Sequence, residues 1–153
     1  MEDSNIAYFS VEAARRLLNI LAPGSDLISI TVPAGSFSNY THVVEARSKD
    51  GKGYKIVVRR YKIFGNYDRG EKARREFKTF ELLNQYRVPA PEPLLLDESG
   101  DLLGSPGIVV RFVDGNLRMD TISDPLDWAR KLARTLATIH SIPCGEEEQR
   151  FLL

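Results

Sequence analysis

Glu76 occupies an awkward position for a carboxylate. The run from Arg69 to Tyr86, introduced by Asp68, has helical spacing, and its apolar seam of Ala73, Phe77, Phe80 and Leu83 also takes in Glu76. A carboxylate on such a seam calls for a cation, because burying it alone is costly. The preceding β-like run ends Ile56-Val57-Val58-Arg59-Arg60. Strand alternation sets Val57 and Arg59 on one face and Ile56, Val58 and Arg60 on the other, so one arginine can turn inward to meet Glu76. A plain structural ion pair looks the same, and Glu76 can equally sit at the rim in water.

Two further segments carry weaker chemistry. Ala34-Gly35-Ser36-Phe37-Ser38-Asn39-Tyr40-Thr41 is small and polar between two strand-like runs. Such a loop can bring backbone N–H groups and the Ser36 and Ser38 hydroxyls to phosphate oxygens. It has one glycine, matches no Walker or dinucleotide fingerprint, and is also readable as a hairpin loop without a ligand. Gly107-Ile108-Val109-Val110-Arg111-Phe112-Val113-Asp114-Gly115 is an apolar strand running into a turn, the kind of edge that offers backbone donors and acceptors beside an apolar wall to a flat ring.

The elements that must position these residues follow from caps and periodicity. Ser10 caps a helix with Ala13, Ala14, Leu17, Leu18 and Leu21 on one side, stopped by Pro23-Gly24. Strands are expected at Leu27 to Val32, His42 to Ala46 and Tyr54 to Tyr61, the last two joined by an Asp50-Gly51 hairpin. After the helix from Arg69, Pro89, Pro91 and Pro93 enforce extended chain into Leu94-Leu95-Leu96, and a turn at Glu98 to Asp101 leads to the strand from Gly107. Asp124 and Pro125 open a last amphipathic helix to His140, and CGEEEQRFLL reads as a frayed, acidic end. About five strands joined mostly by turns, with helices, make an α+β fold around an antiparallel sheet.

Composition narrows the function classes. Of 153 residues, 21 Lys and Arg balance 21 Asp and Glu, so no global positive field exists to collect nucleic acid. The single Cys144 cannot form an internal disulfide, and with two histidines it cannot build a zinc site without carboxylate help, which fits a reducing, cytoplasmic setting. MEDSNIAYFS lacks the features of a signal peptide, and no apolar stretch is long enough to span a membrane.

The order of the segments matters more than any one of them. A phosphate-type loop between the first two strands, a cation on the third, a carboxylate on the next helix, then two strands and a Gly-containing linker is the layout of the small lobe of a protein-kinase-like fold. On GSFSNYTHVVEA, YKIVVRRY, ARREFKTFELLNQYRVPAPEPLL, GIVVRFVDG and ARKLARTLATIHSIP, the sequence resembles the aminoglycoside phosphotransferase and choline kinase branch of that fold, from about Ala7 to Pro143. The resemblance implies an N-terminal lobe over residues 1–143, with 144–153 an acidic tail or the start of a connector to a second, helical lobe. It implies that Gly35, Ser36, Phe37, Ser38 and Asn39 cover nucleotide phosphates. Arg59 stands at the phosphate-binding cation, Glu76 is its helix partner, and Val57 roofs the adenine. Val110 stands at the gatekeeper position, with the Arg111 carbonyl and Val113 N–H as hinge hydrogen bonds. Arginine replaces the lysine of protein kinases at this position, and its planar fork can bridge phosphate and carboxylate.

The family's catalytic groups, a His-Gly-Asp loop with a downstream Asn and a later Asp that holds Mg²⁺, have no counterpart here: His42 and His140 are not followed by Gly-Asp. His140 reads as a helix C-terminal residue, His42 as a strand residue and Asp114 as a turn former. The resemblance thus implies an ATP-binding lobe, with Mg²⁺ and a small hydroxyl acceptor belonging to a longer parent. The chain alone is expected to bind nucleotide weakly, turn nothing over, and self-associate through an exposed interlobe face. The alternative is a non-catalytic nucleotide-binding or protein-interaction module. Convergence on a structural α+β domain is a third reading, and it requires Glu76 to point to solvent.

Overall fold

The computed structural model describes residues 8–33, 39–62, 68–115 and 123–152. In chain order the elements are α1 (Val11–Leu21), β1 (Asp26–Thr31), β2 (Asn39–Arg47), β3 (Gly53–Tyr61), α2 (Arg69–Gln85), β4 (Pro93–Asp97), β5 (Gly107–Arg111), α3 (Pro125–His140) and α4 (Glu146–Leu152). The strands form one antiparallel sheet in the order β1-β2-β3-β5-β4. The β2–β3 hairpin turns at Asp50-Gly51, where Gly51 takes φ +83°, a conformation that side chains with a Cβ resist.

Capping fixes where the helices start. The Ser10 hydroxyl accepts the Ala13 N–H at 3.1 Å, and Asp68 accepts the N–H groups of Gly70 and Glu71 at 2.8 and 3.1 Å. Asp124 does the same for Leu126 and Asp127. The alternation of β3 gives the sheet two usable faces. Ile56 and Val58 join Val44, Ala46 and Val109 beneath Phe9, Ala13, Ala14, Leu17 and Leu18, so α1 closes one face. Val57 and Tyr61 face the other way with Ile108 and Val110, and Ala73, Phe77 and Phe80 bring α2 onto them.

The β4–β5 turn is organised by Asp97, a buried carboxylate that accepts the N–H groups of Gly100, Leu102 and Leu103 at 2.9, 3.0 and 2.7 Å. This turn also locates α2. Arg69 donates to the Ser105 hydroxyl at 3.1 Å, and Arg74 Nε donates to Glu98 at 2.9 Å. Gly107 lets β5 approach β3 beside the key arginine: a Cβ there would lie 2.3 Å from the Arg59 carbonyl oxygen.

Two features depart from expectation. The segment after Cys144 is not frayed: Glu146–Leu152 is helical and returns to α2, where the Arg75 guanidinium donates to the Phe151 and Leu152 carbonyls at 3.1 Å each. Conversely, α3 has the periodicity of a buried helix, yet none of its residues is buried, and Leu126, Leu132 and Leu136 are at least half exposed. Among the described residues, no helix is long and apolar enough to cross a membrane.

This division gives a stability prediction. In urea unfolding, Leu17→Ala should cost about 2–5 kcal/mol because it empties the α1 contact. Leu136→Lys should change stability by less than about 0.5 kcal/mol. A comparable loss at Leu136 would mean that α3 packs on the sheet.

Candidate functional site

The β2–β3–β5 register builds the site in rows. Val43 lies opposite Val57, and Val57 opposite Val110, so three valines cross adjacent strands on one face. Val43 and Val110 are buried, while Val57 in the middle is half-buried. The neighbouring row is Thr41, Arg59 and Ile108. A flat apolar strip thus runs directly into a cationic position.

Arg59 and Glu76 form an ion pair across the gap between β3 and α2, through Arg59 Nη1 and Glu76 Oε1. Their side chains are 31% and 22% exposed, so the charges are shielded without being sealed from water. The other carboxylate oxygen, Oε2, accepts a hydrogen bond from the Tyr61 hydroxyl. Glu76 therefore divides its two oxygens between two donors from β3. Glu76 thus does not point to solvent, as the convergent reading required.

Tyr61 escaped the sequence reading although it stands two residues after Arg59, and strand alternation carries the signal. Its ring is fully buried. Burial chiefly, then the hydrogen bond to Glu76 and that carboxylate's charge, push its ionisation upward, while Arg59 opposes them. Arg60 takes the opposite face. It is almost wholly buried, lies over the rings of Phe9 and Tyr40 at 5.2 and 5.9 Å, and donates to the Leu103 carbonyl at 3.3 Å. Burial lowers its pKa from the ordinary arginine value.

The remaining candidates fall as follows. Gly35, Ser36, Phe37 and Ser38 lie outside the described residues. Asn39 is the buried first residue of β2, paired with Tyr61 in the register, so the strand begins three residues earlier than the sequence suggested. Val57, Arg59, Glu76 and Val110 are brought to one side of the sheet. Arg111 ends β5, and its side chain turns away to Glu92 while its N–H donates to the Glu92 carbonyl at 2.8 Å. Val113 follows, 60% exposed. His42 is buried against Phe9, ring centroids 5.7 Å apart, and His140 is exposed in the last turn of α3.

A cavity of about 490 Å³ opens on the α2 side of the ion pair rather than over the valine row. Glu76, Lys72, Arg75 and Thr79 line it from α2, Lys62 from the end of β3, and Phe151 and Leu152 from α4. Lys72 also lies over the Tyr61 ring at 5.1 Å. Among the described residues, no group of three or more His, Cys, Asp or Glu is placed to hold a metal ion. The arrangement offers an apolar wall with an anchored guanidinium at its end.

The tyrosine makes the geometry testable. A phenol whose ionisation is pushed up in the folded state adds stability below its unfolded pKa of about 10, and that contribution is lost as pH rises above it. In an alkaline titration followed by phenolate absorbance, Tyr61 should ionise only with unfolding. Tyr61→Phe should remove amplitude from that late step and leave the early step intact. Loss of amplitude from the early step would show that the hydroxyl is not held by Glu76.

Comparison with known proteins agrees with this architecture. The family model described as "Phosphotransferase enzyme family" matches residues 29–152. Among solved structures, the chain is similar to the crystal structure of a "putative aminoglycoside phosphotransferase" from Ralstonia eutropha JMP134. The two share 19% identity with a TM-score of 0.51, and the match covers 72% of this chain and 30% of the other. The chain thus spans less than a third of that relative's length. No curated protein sequence matches.

Proposed function

Because this chain belongs to the phosphotransferase enzyme family, we propose that its sheet and α2 form the nucleotide-binding lobe of a small-molecule kinase, one that transfers the ATP γ-phosphate to a hydroxyl of its acceptor. The observation that carries this reading is the continuity of the Val43–Val57–Val110 row with the Arg59–Glu76 pair. An adenine ring would lie against Val57, the half-buried member of the row. The Arg111 carbonyl and Val113 N–H, which follow Val110 at the end of β5, are the proposed hinge partners.

In this reading Arg59 meets the phosphates and Glu76 orients it. Glu76 Oε1 pairs with Arg59 Nη1 while Oε2 accepts from the Tyr61 hydroxyl, so β3 holds the carboxylate at both oxygens. Gly35 to Asn39 are assigned to covering the phosphates from above. Mg²⁺ would accompany the nucleotide in the longer parent. The 153 residues contain no His-Gly-Asp run. Acceptor binding and proton abstraction are therefore assigned to parts of a longer parent. The acceptor class, an amino sugar, amino alcohol or similar hydroxyl compound, is inferred from the family alone.

Isothermal titration of the chain with Mg-ATP tests the proposal. Binding should be weak, with Kd on the order of 1 mM, equivalent to about 4 kcal/mol. Arg59→Ala should weaken it at least about tenfold, and Val57→Asp should abolish the signal without unfolding the protein. Equal heats from the wild type and Arg59→Ala would overturn the assignment of the phosphate site. Acceptor-dependent ATP consumption by these residues alone would overturn the assignment of the chemistry to a longer parent.

A further inference from the structure

The face of the sheet that meets α2 changes character at one height. On β2 the residues that alternate onto it are Asn39, Thr41 and Val43, and on β3 they are Val57, Arg59 and Tyr61. The register sets Val43 opposite Val57, Thr41 opposite Arg59 and Asn39 opposite Tyr61. Both strands therefore pass from apolar to polar at the same step, between the valine row and the Thr41–Arg59 row. The next strand does not follow, because the β5 residue in that row is Ile108. Across the ladder Arg59 thus has a hydroxyl on the β2 side and a hydrocarbon on the β5 side, while Glu76 comes from α2. Thr41 is partly exposed, so its side chain is reachable from this face.

We propose that the Thr41 hydroxyl is a second nucleotide contact, a donor to the phosphate nearest the base; this rests on the nucleotide-binding reading above. Same-face residues on a strand are about 6.7 Å apart, so the Thr41–Arg59 row lies one such step from the valines that take the ring. The two side chains of the row serve different distances. A threonine is short and its hydroxyl stays over its own row, whereas the arginine stem carries the guanidinium on toward Glu76 and α2. The first phosphate beyond the ribose therefore falls to Thr41, and the later ones to Arg59. A hydroxyl suits the nearer task, since it donates a hydrogen bond to an anionic oxygen and brings no charge to compete for Glu76. Threonine also favours strands through its branched side chain alone, and that role would leave the hydroxyl without a function.

Two substitutions separate the hydroxyl from the branch. Thr41→Val keeps the branched shape and loses the donor; Thr41→Ser keeps the donor and loses the branch. In titrations of the full chain followed by amide chemical shifts, Thr41→Val should weaken Mg-ATP about fivefold or more, the scale of one lost hydrogen bond, while Thr41→Ser stays close to the wild type. Mg-ADP should lose by the same factor, because both nucleotides carry the first phosphate. Urea unfolding should give the reverse order, with Thr41→Val at least as stable as Thr41→Ser, so that weaker binding in the valine variant does not report a damaged strand. Equal affinity in the wild type and Thr41→Val, a greater loss in Thr41→Ser, or a loss confined to Mg-ATP would overturn the proposal. If Arg59→Ala weakens Mg-ATP and Thr41→Val does not, the nucleotide-binding reading stands and the Thr41 contact fails; wild-type protein that shows no shifts with Mg-ATP removes both.

Discussion

The charge pair between β3 and α2 constrains everything around it. A carboxylate on the packing side of a helix is tolerable only if its partner arrives at the same height, and removing one partner from a buried pair typically costs about 3–5 kcal/mol. Arg59 and Glu76 retain partial solvent contact, so their own cost is smaller. The penalty still acts on the register of α2 against the sheet. A slide of one turn would move Glu76 to where Ala73 or Phe80 now packs and set an apolar side chain against the guanidinium. The Asp68 cap, the Arg69–Ser105 hydrogen bond and the Arg74–Glu98 pair hold that height from the N-terminal half of the helix.

Consecutive arginines show how one strand serves two purposes. Arg60 faces α1, where the rings of Phe9 and Tyr40 and the Leu103 carbonyl surround its guanidinium. It ties the N-terminal helix, β2 and the β4–β5 turn to the centre of the sheet. Arg59, one residue earlier, is a third exposed and faces Glu76. The buried arginine ties the layers together, and the other, a third exposed, stays in contact with solvent. Exchanging their environments would need a one-residue slip of β3, which would also turn Ile56 and Val58 out of the α1 core.

Much of this was legible in the residues. Caps at Ser10, Asp68 and Asp124, the Asp50-Gly51 turn and the alternation of β3 fix the elements and the sheet, and alternation also separates Arg59 from Arg60. Glu76 was identifiable because a charge interrupted an apolar seam. Tyr61 was missed because a tyrosine at a strand end reads as packing; its polar role depends on a carboxylate fifteen residues later. The order of α4 was hidden for a related reason, since a run of glutamates has no helical stripe and its partner, Arg75, looks like a solvated arginine. Periodicity in α3 correctly announced an amphipathic helix. It carries no information about which surface, if any, meets the apolar stripe.

The choice of arginine at position 59 has a geometric consequence that a lysine would not share. An ammonium is a compact point charge, and pairing it with a carboxylate places that carboxylate close to any second anion competing for the same nitrogen. A guanidinium spreads its donors around a plane, so a carboxylate on one edge and an anion on another can be several ångströms apart. Tyr61 holds the other Glu76 oxygen, so the carboxylate is oriented from two points on β3. The tyrosine therefore acts on the arginine through the glutamate. The Nη1–Oε1 contact with Glu76 locates the guanidinium against α2, and a planar fork, unlike an ammonium, makes its contacts through more than one edge.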